Sequence, residues 1–183
     1  MSHLCVFHSS NTRQPTKLLN HHEDIARELA AIGVAFERRE PAPSVTAETP
    51  VDQVLTACQG EIGRLRELHG YVLADVFRQD ESQPQKVRDA QRAALLAERT
   101  GEAQAWLLVA GRGLFHLRVD EQVYALMCEK GDLLALPAGI RHWFDAGERP
   151  RITAIRLRAD ENDMADGKTG DDPASQYPAF DDY

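Results

Sequence analysis

His142 has the strongest chemical setting in this chain. It follows the segment Gly131-Asp-Leu-Leu-Ala-Leu-Pro137-Ala-Gly139-Ile-Arg, and Trp143 and Phe144 come after it. A glycine opens an apolar strand, Pro137 and Gly139 make a turn, and the histidine sits on the next strand, pointing back inward. A turn of this kind fixes the backbone so that one imidazole projects into a barrel, where other ligands can meet it around a metal ion. Without such company, a histidine on a strand is more often a packed or hydrogen-bonded core residue.

The other reactive side chains carry weaker signals. His116 lies between Phe115 and Leu117; if Phe115, Leu117 and Val119 face the core, His116 and Arg118 face the other way, which predicts a surface or rim histidine. His21 and His22 stand at a helix start, where capping or exposure is expected, and His3, His8 and His69 have no partner at useful spacing. Cys5, Cys58 and Cys128 are odd in number, far apart and form no Cys-x-x-Cys pair, so they read as buried thiols in a reducing compartment. Cys128, on a strand, reads as packing rather than as a nucleophile. Gly111-Arg-Gly113 is expected to be a barrel turn, because no strand-loop-helix unit follows it as a nucleotide loop would need. No Gly-x-Ser-x-Gly occurs, and no serine stands out as a nucleophile.

The elements that must position His142 change character along the chain. Ile25, Leu29 and Ile32 recur at helical spacing from His22 to Gly33. Thr49-Pro50 reads as an N-cap with proline at the first helical position, followed by one apolar stripe of Val51, Val54, Leu55, Cys58, Ile62 and Leu65 that ends near Gly70. Tyr71 to Phe77 predicts a short strand, and a helix is expected from about Pro84 to Leu96 with Val87, Ala90, Ala94 and Leu95 facing inward. After Thr100, short alternating runs appear at 104–109, 113–119, 122–127, 132–136 and 151–157, which predict a sandwich or barrel. Asp120-Glu121 fits a tight hairpin turn. The acidic tail from Asp160 to Tyr183 is expected to be irregular and draped over the barrel. One domain of 183 residues follows, divided into a helical part (about 1–97), a barrel core (about 98–158) and the tail (about 159–183).

Composition narrows the partners. The hydrophobic fraction of 43% suffices for a core, and the net charge of −8 with a pI near 5.3 disfavours nucleic acid and anionic membranes. No apolar run is long enough to span a bilayer, and the start MSHLCVFHSS lacks the charged and apolar regions of a secretory signal, so a cytoplasmic location is expected.

An ordered series of blocks resembles the acireductone dioxygenase family of the cupin superfamily nearly from end to end. The blocks are His21-His-Glu-Asp-Ile-Ala, Gly33-Val-Ala-Phe-Glu-Arg, His69-Gly-Tyr, Pro84-Gln-Lys, Val109-Ala-Gly-Arg-Gly-Leu-Phe115, Cys128-Glu-Lys-Gly-Asp132, Pro137-Ala-Gly, His142-Trp-Phe-Asp145, Ala154-Ile-Arg156 and Thr169-Gly-Asp. The resemblance implies a mostly-β fold with N-terminal helices (α+β), built on a cupin double-stranded β-helix or jelly-roll barrel. It implies a role in methionine salvage, with Fe(II) or Ni(II) as cofactor and O2 as co-substrate.

The same resemblance locates the family's ligand positions and shows them altered. The family pattern His-x-His-Gly-Glu-x-Glu falls on Glu98-Arg-Thr100-Gly-Glu-Ala-Gln104, so that only His142 matches the ligand set. Fe(II) and Ni(II) favour imidazole and carboxylate in octahedral sites, whereas Thr100 offers a neutral hydroxyl and Gln104 a neutral amide. Metal binding is therefore expected to be weak or absent, with Glu98, Gln104 and His142 as the set that could hold an ion loosely. The pocket departs too: Trp106 stands where the family has an arginine, Ala94 where it has a phenylalanine, and a tail tryptophan is replaced around Asp163-Met164, while Phe144 and Arg156 keep pocket-lining positions. Three readings follow: a relative that has lost the reaction and binds a small molecule, an active metalloenzyme with a non-standard ligand set, or a non-catalytic subunit paired with an intact paralogue.

Overall fold

A computed structural model of the chain describes residues 1–40, 45–159 and 167–183. In chain order the elements are β1 (His3–His8), β2 (Lys17–Leu19), α1 (His22–Ala30), β3 (Ala35–Arg38), α2 (Val51–Ala57), α3 (Gln59–His69), β4 (Leu73–Gln79), α4 (Gln85–Leu96), β5 (Arg99–Thr100), β6 (Gln104–Val119), β7 (Gln122–Glu129), β8 (Asp132–Leu136), β9 (Arg141–Asp145), β10 (Ile152–Arg158) and β11 (Gly167–Lys168). Two short 3-10 turns follow, at Ala174–Gln176 and Phe180–Asp182.

The strands pair antiparallel in two sheets. One runs β11-β5-β9-β6-β7-β1-β2, the other β4-β10-β6-β8-β3. Strand β6 belongs to both: its first part pairs with β8 and β10, its second with β7 and β9. The expected turn at Gly111-Arg-Gly113 is thus an uninterrupted strand that bends as it changes sheets. Gly111 has φ +76°, the register with β10 shifts between Thr153 and Ala154, and a Cβ at Gly111 would lie 1.6 Å from the Arg151 carbonyl oxygen. Only glycine passes such a corner. The result is the expected mostly-β jelly-roll architecture with helices, as a sandwich sharing one strand rather than a closed barrel.

Side-chain alternation sorts three apolar layers. Between the sheets lie Leu4, Phe36, Trp106, Phe115, Leu126 and Phe144, among others. Outside the second sheet, Ala105, Leu107, Ile155 and Leu157 are covered by Val54, Cys58, Ile62 and Leu65 of α2 and α3. Outside the first sheet, Cys5, Leu114, Met127 and Trp143 are covered by Tyr177 of the tail.

Several expectations need correction. The part before residue 98 is not only helical, since β1 to β4 are woven into both sheets. The single stripe from Val51 breaks at Cys58 into α2 and α3, and Pro50, not Thr49, occupies the N-cap position. Helix α4 turns Ala90 and Ala94 to solvent, leaves Val87 39% exposed, and faces the sheet with Arg88, Arg92, Leu95 and Leu96 instead. Arg92 explains this: its guanidinium binds both oxygens of buried Asp145, at 2.9 and 3.0 Å, and that ion pair sets the helix rotation. The tail is not wholly irregular: β11 pairs with β5, and the turns at 174 and 180 lie against the first sheet. The hairpin at Asp120 is as expected, with Asp120 at φ +52°.

Candidate functional site

Register explains how the candidate residues meet. Across the second sheet, Gln104 pairs with Arg158, and Trp106 pairs with Arg156, which pairs in turn with Asp75 of β4. Across the first, His142 pairs with Leu117 on one side and Arg99 on the other, and Phe144 pairs with Phe115. The inner faces of these rows bound a cavity of about 300 Å³ between the sheets. Thr100, Gln104, Trp106, His142, Phe144 and Arg156 all line it.

The polar floor is a chain of hydrogen bonds. The turn at Gly139, whose N–H donates to the Gly101 carbonyl at 2.8 Å, sets the start of β9 beside β5. His142 Nδ1 lies 3.0 Å from the Ile140 carbonyl oxygen, so it carries the proton and leaves Nε2 as the acceptor. The Trp106 indole N–H donates to Gln104 Oε1 at 3.0 Å, which fixes the amide and aims its NH2 group at His142 Nε2, 3.4 Å away. Trp106 thus acts beyond filling space: it orients the amide whose N–H groups face the nitrogen a metal would need.

Glu98 is elsewhere. Arg99 takes the cavity side beside His142, and Glu98, one residue earlier, turns away and does not line the cavity. Its carboxylate is fully buried, accepts from Thr169 Oγ1 at 2.8 Å and Arg118 Nη1 at 3.2 Å, and has Arg141 Nη1 at 3.9 Å. It has become a structural anchor that ties the segment after β11 to the rim of the first sheet. Ala94 is exposed on α4 and does not line the cavity; the neighbouring Leu95 does. The position around Asp163-Met164 lies outside the described residues.

The residues present do not fit a first-row transition metal. Thr100, Gln104 and His142 meet in the cavity, but Glu98 does not join them, and the amide N–H groups of Gln104 face His142 Nε2. Among the described residues, no three of His, Cys, Asp and Glu converge as a ligand set.

The walls are aromatic and cationic. Trp106 and Phe144 stack with centroids 5.8 Å apart at 15°, and Phe115 lies 4.7 Å from Phe144. The Arg156 guanidinium sits 5.5 Å above the Trp106 ring and binds Asp75 through both oxygens, at 3.0 and 2.8 Å. Arg158 adds a contact of 3.1 Å to the same carboxylate. Burial alone would raise the Asp75 carboxyl, but Arg156 and Arg158 outweigh it and hold it below the usual carboxylate range. Arg99 and Arg158 were missed as lining residues. Arg158 was within reach of the sequence, because it lies two residues beyond Arg156 on one face of a strand.

His116 corrects another expectation. It does face away from the inter-sheet core, yet it is only 2% exposed, stacked on Trp143 at 4.7 Å and 7° beneath the tail. Burial pushes its imidazole down to about 4, with Asp145 and the Pro178 backbone pulling weakly back, and neither ring nitrogen completes a well-aligned hydrogen bond. The three cysteines are buried and free, and burial raises the Cys128 thiol well above its ordinary value.

Comparison with known proteins gives a consistent picture. The model of the ARD/ARD' family matches residues 9–165. The chain is 46% identical over 183 residues, the full length of both, to the acireductone dioxygenase of Pseudomonas paraeruginosa. It is 44% identical, again over both full lengths, to that of Stutzerimonas stutzeri. Among solved structures, an acireductone dioxygenase from Bacillus anthracis with a cadmium ion in its active centre superposes with a TM-score of 0.73 at 20% identity, covering 91% of this chain and 97% of the other. That likeness speaks to the fold.

Proposed function

The chain belongs to the ARD/ARD' family, and from that membership we propose that it keeps the family's cavity as a small-molecule site without holding the Fe(II) or Ni(II) that acireductone cleavage requires. The observation that carries this reading is the hydrogen-bond chain Trp106–Gln104–His142, which gives His142 Nε2 an amide N–H group in place of a metal ion. The engagement of Glu98 by Arg118 and Thr169 supports it, because coordination would require breaking a buried ion pair. The protein then serves methionine-salvage biology as a binder rather than as a dioxygenase. Three buried thiols without a disulfide fit the reducing cytoplasm expected for it.

A second reading, an active dioxygenase with an unusual ligand set, draws on the 46% identity to acireductone dioxygenases over the whole chain. One experiment separates the two. Protein purified without an affinity tag is analysed for metals, then loaded with Fe(II) or Ni(II) and mixed with acireductone while O2 uptake is recorded. The proposal expects substoichiometric metal and uptake no faster than the buffer rate. Stoichiometric iron or nickel, with turnover abolished by His142→Ala, would establish the second reading.

A further inference from the structure

At the end of the sandwich where β6 changes sheets, we propose a second binding site, for a small phosphomonoester, held by Lys130 and Arg112 with Arg149 and Arg151 at its rim.

The site is a hollow of about 540 Å³ that shares no lining residue with the cavity around His142. Topology creates it. The corner at Gly111 sets Arg112 beside the β7–β8 turn at Lys130 and the β9–β10 connection at Arg149 and Arg151. Connections remote in sequence thus deliver four cations to one place, and no Asp or Glu among the described residues lines it. In a chain of net charge −8, such a cluster does not follow from composition.

The acids around the hollow are engaged by other bases or stand at its rim. Glu129, opposite Arg112 in register, binds Arg38 at 3.1 Å and the N-terminal ammonium at 2.9 Å. Asp181, next to Phe180, binds Arg92 at 3.4 Å. Glu81 meets Arg149 at 3.2 Å and Glu48 meets Arg151 at 3.6 Å, so those two arginines count only as rim charges. Among the described residues, no carboxylate pairs with Lys130 or Arg112. The Lys130 ammonium donates to the Val45 carbonyl at 2.8 Å, which fixes it in the wall and leaves two of its three donors. The Arg112 guanidinium lies 5.7 Å from the centre of the Phe180 ring, a contact that positions it without a counter-ion.

Charge and shape select the ligand. Two cations without carboxylates match a dianion, and a phosphomonoester carries about −1.5 to −2 charges near neutral pH, with three strong acceptor oxygens. Lysine meets such a group as a point charge and arginine as a planar fork. Val45, Ala110, Ala146 and Phe180 give the ester's organic group an apolar surface beside the cations. The volume falls among small-molecule sites, which run from about 300 to 1,000 Å³. The chain's net charge of −8 repels an extended polyanion such as nucleic acid.

The test is calorimetric titration of the full chain, near neutral pH in phosphate-free buffer, with phenyl phosphate, benzoate and phenol. Phenyl phosphate is expected to bind one site per chain, at least ~10-fold more tightly than benzoate, the effect of one further charge-assisted contact, with no heat from phenol. Lys130→Gln and Arg112→Gln should each weaken it ~10-fold or more, and Lys130→Arg should retain most of the affinity. Arg112→Gln also gives up the Phe180 contact, so Lys130→Gln, in a turn, is the cleaner variant, with a thermal melt confirming that it folds. Arg156→Gln, in the other cavity, should leave the affinity unchanged. No heat from phenyl phosphate, benzoate binding equally well, or Lys130→Gln without effect would each overturn the inference. So would binding lost on Arg156→Gln, which would move the ligand to the cavity between the sheets. Inorganic phosphate binding as tightly as phenyl phosphate would overturn the part assigned to the apolar surface.

Discussion

Two buried histidines sit on paired strands, one residue out of phase, and look in opposite directions through the same sheet. His142 pairs with Leu117 and faces the cavity; His116 pairs with Trp143 and faces the tail. The first has the Ile140 carbonyl on one nitrogen and the Gln104 amide near the other. The second has an indole across its face and no well-aligned partner for either nitrogen. Their difference teaches that burial alone does not give an imidazole a role: the groups that meet its nitrogens decide whether it belongs to a polar floor or to an apolar layer. The cavity side can exchange its partners for water or ligand, whereas the tail side is sealed, so disruption should cost more on the tail side.

The most severe way to break this contrast is Asp145→Ala. Asp145 accepts from Nε and Nη2 of Arg92 and from the N–H groups of Gly147 and Phe180, the last two at 2.9 and 3.0 Å, which joins α4, β9 and the tail. Removing it leaves the partly exposed Arg92 guanidinium with Asp181 at 3.4 Å and takes the acceptor from two backbone N–H groups, and urea unfolding should show a loss of about 2–4 kcal/mol; a loss under about 1 kcal/mol would mean that the tail seal does not depend on this pair.

Acid should act next, through His116. Its folded-state value near 4 lies below the ordinary imidazole value of 6.5, so the unfolded chain binds the extra proton in between. Its contribution is therefore complete above about pH 6.5 and is lost as the pH falls toward 4, for a total of about 3 kcal/mol. His116→Phe, which preserves stacking on Trp143, should flatten the unfolding midpoint over that range. A wild-type profile already flat from pH 6.5 to 4 would contradict the sealed environment assigned to His116.

The cavity side is sharpened by adding ligands. Thr100→His combined with Gln104→Glu supplies an imidazole and a carboxylate beside His142, and nickel affinity measured by competition with a chelating dye should rise about 10- to 100-fold. An unchanged affinity would show that the backbone, rather than the side chains, withholds the site. The smallest effect is expected from Trp106→Phe, which deletes one indole hydrogen bond to Gln104 and should cost about 1 kcal/mol in thermal unfolding. It should also loosen the amide, visible as a shift in the Gln104 side-chain NH2 resonances.

How much of this could be read beforehand depended on where the decisive partner lay. The turn at Pro137-Gly139 and the inward His142 follow from local rules, as do the hairpin at Asp120 and the apolar face of α1. Strand β1 was invisible because Leu4, Cys5, Val6 and Phe7 are all buried: one face meets the inter-sheet core and the other the tail, which erases the alternation that marks a strand. The cover over His116 comes from the Trp143 ring and from the tail at Pro178, and no local pattern near residue 116 announces the latter. Apolar spacing in α4 favours an inward face of Val87, Ala90, Ala94 and Leu95, whereas the ion pair between Arg92 and Asp145 turns Ala90 and Ala94 to solvent. The family resemblance implies ligand positions at Thr100 and Gln104, and both reach the cavity; a sequence pattern does not reveal that Glu98 turns toward Arg118 and Thr169.

Strand β6 runs through both sheets without a break. Neither layer can open by itself without tearing that ribbon out of the other, so the sandwich should come apart as one cooperative unit. Amide protons along the whole of Gln104–Val119 should then exchange with solvent at a common, slowest rate, including those bordering the ligand cavity. A binding site walled by such a strand gains its rigidity from the unfolding barrier of the entire molecule.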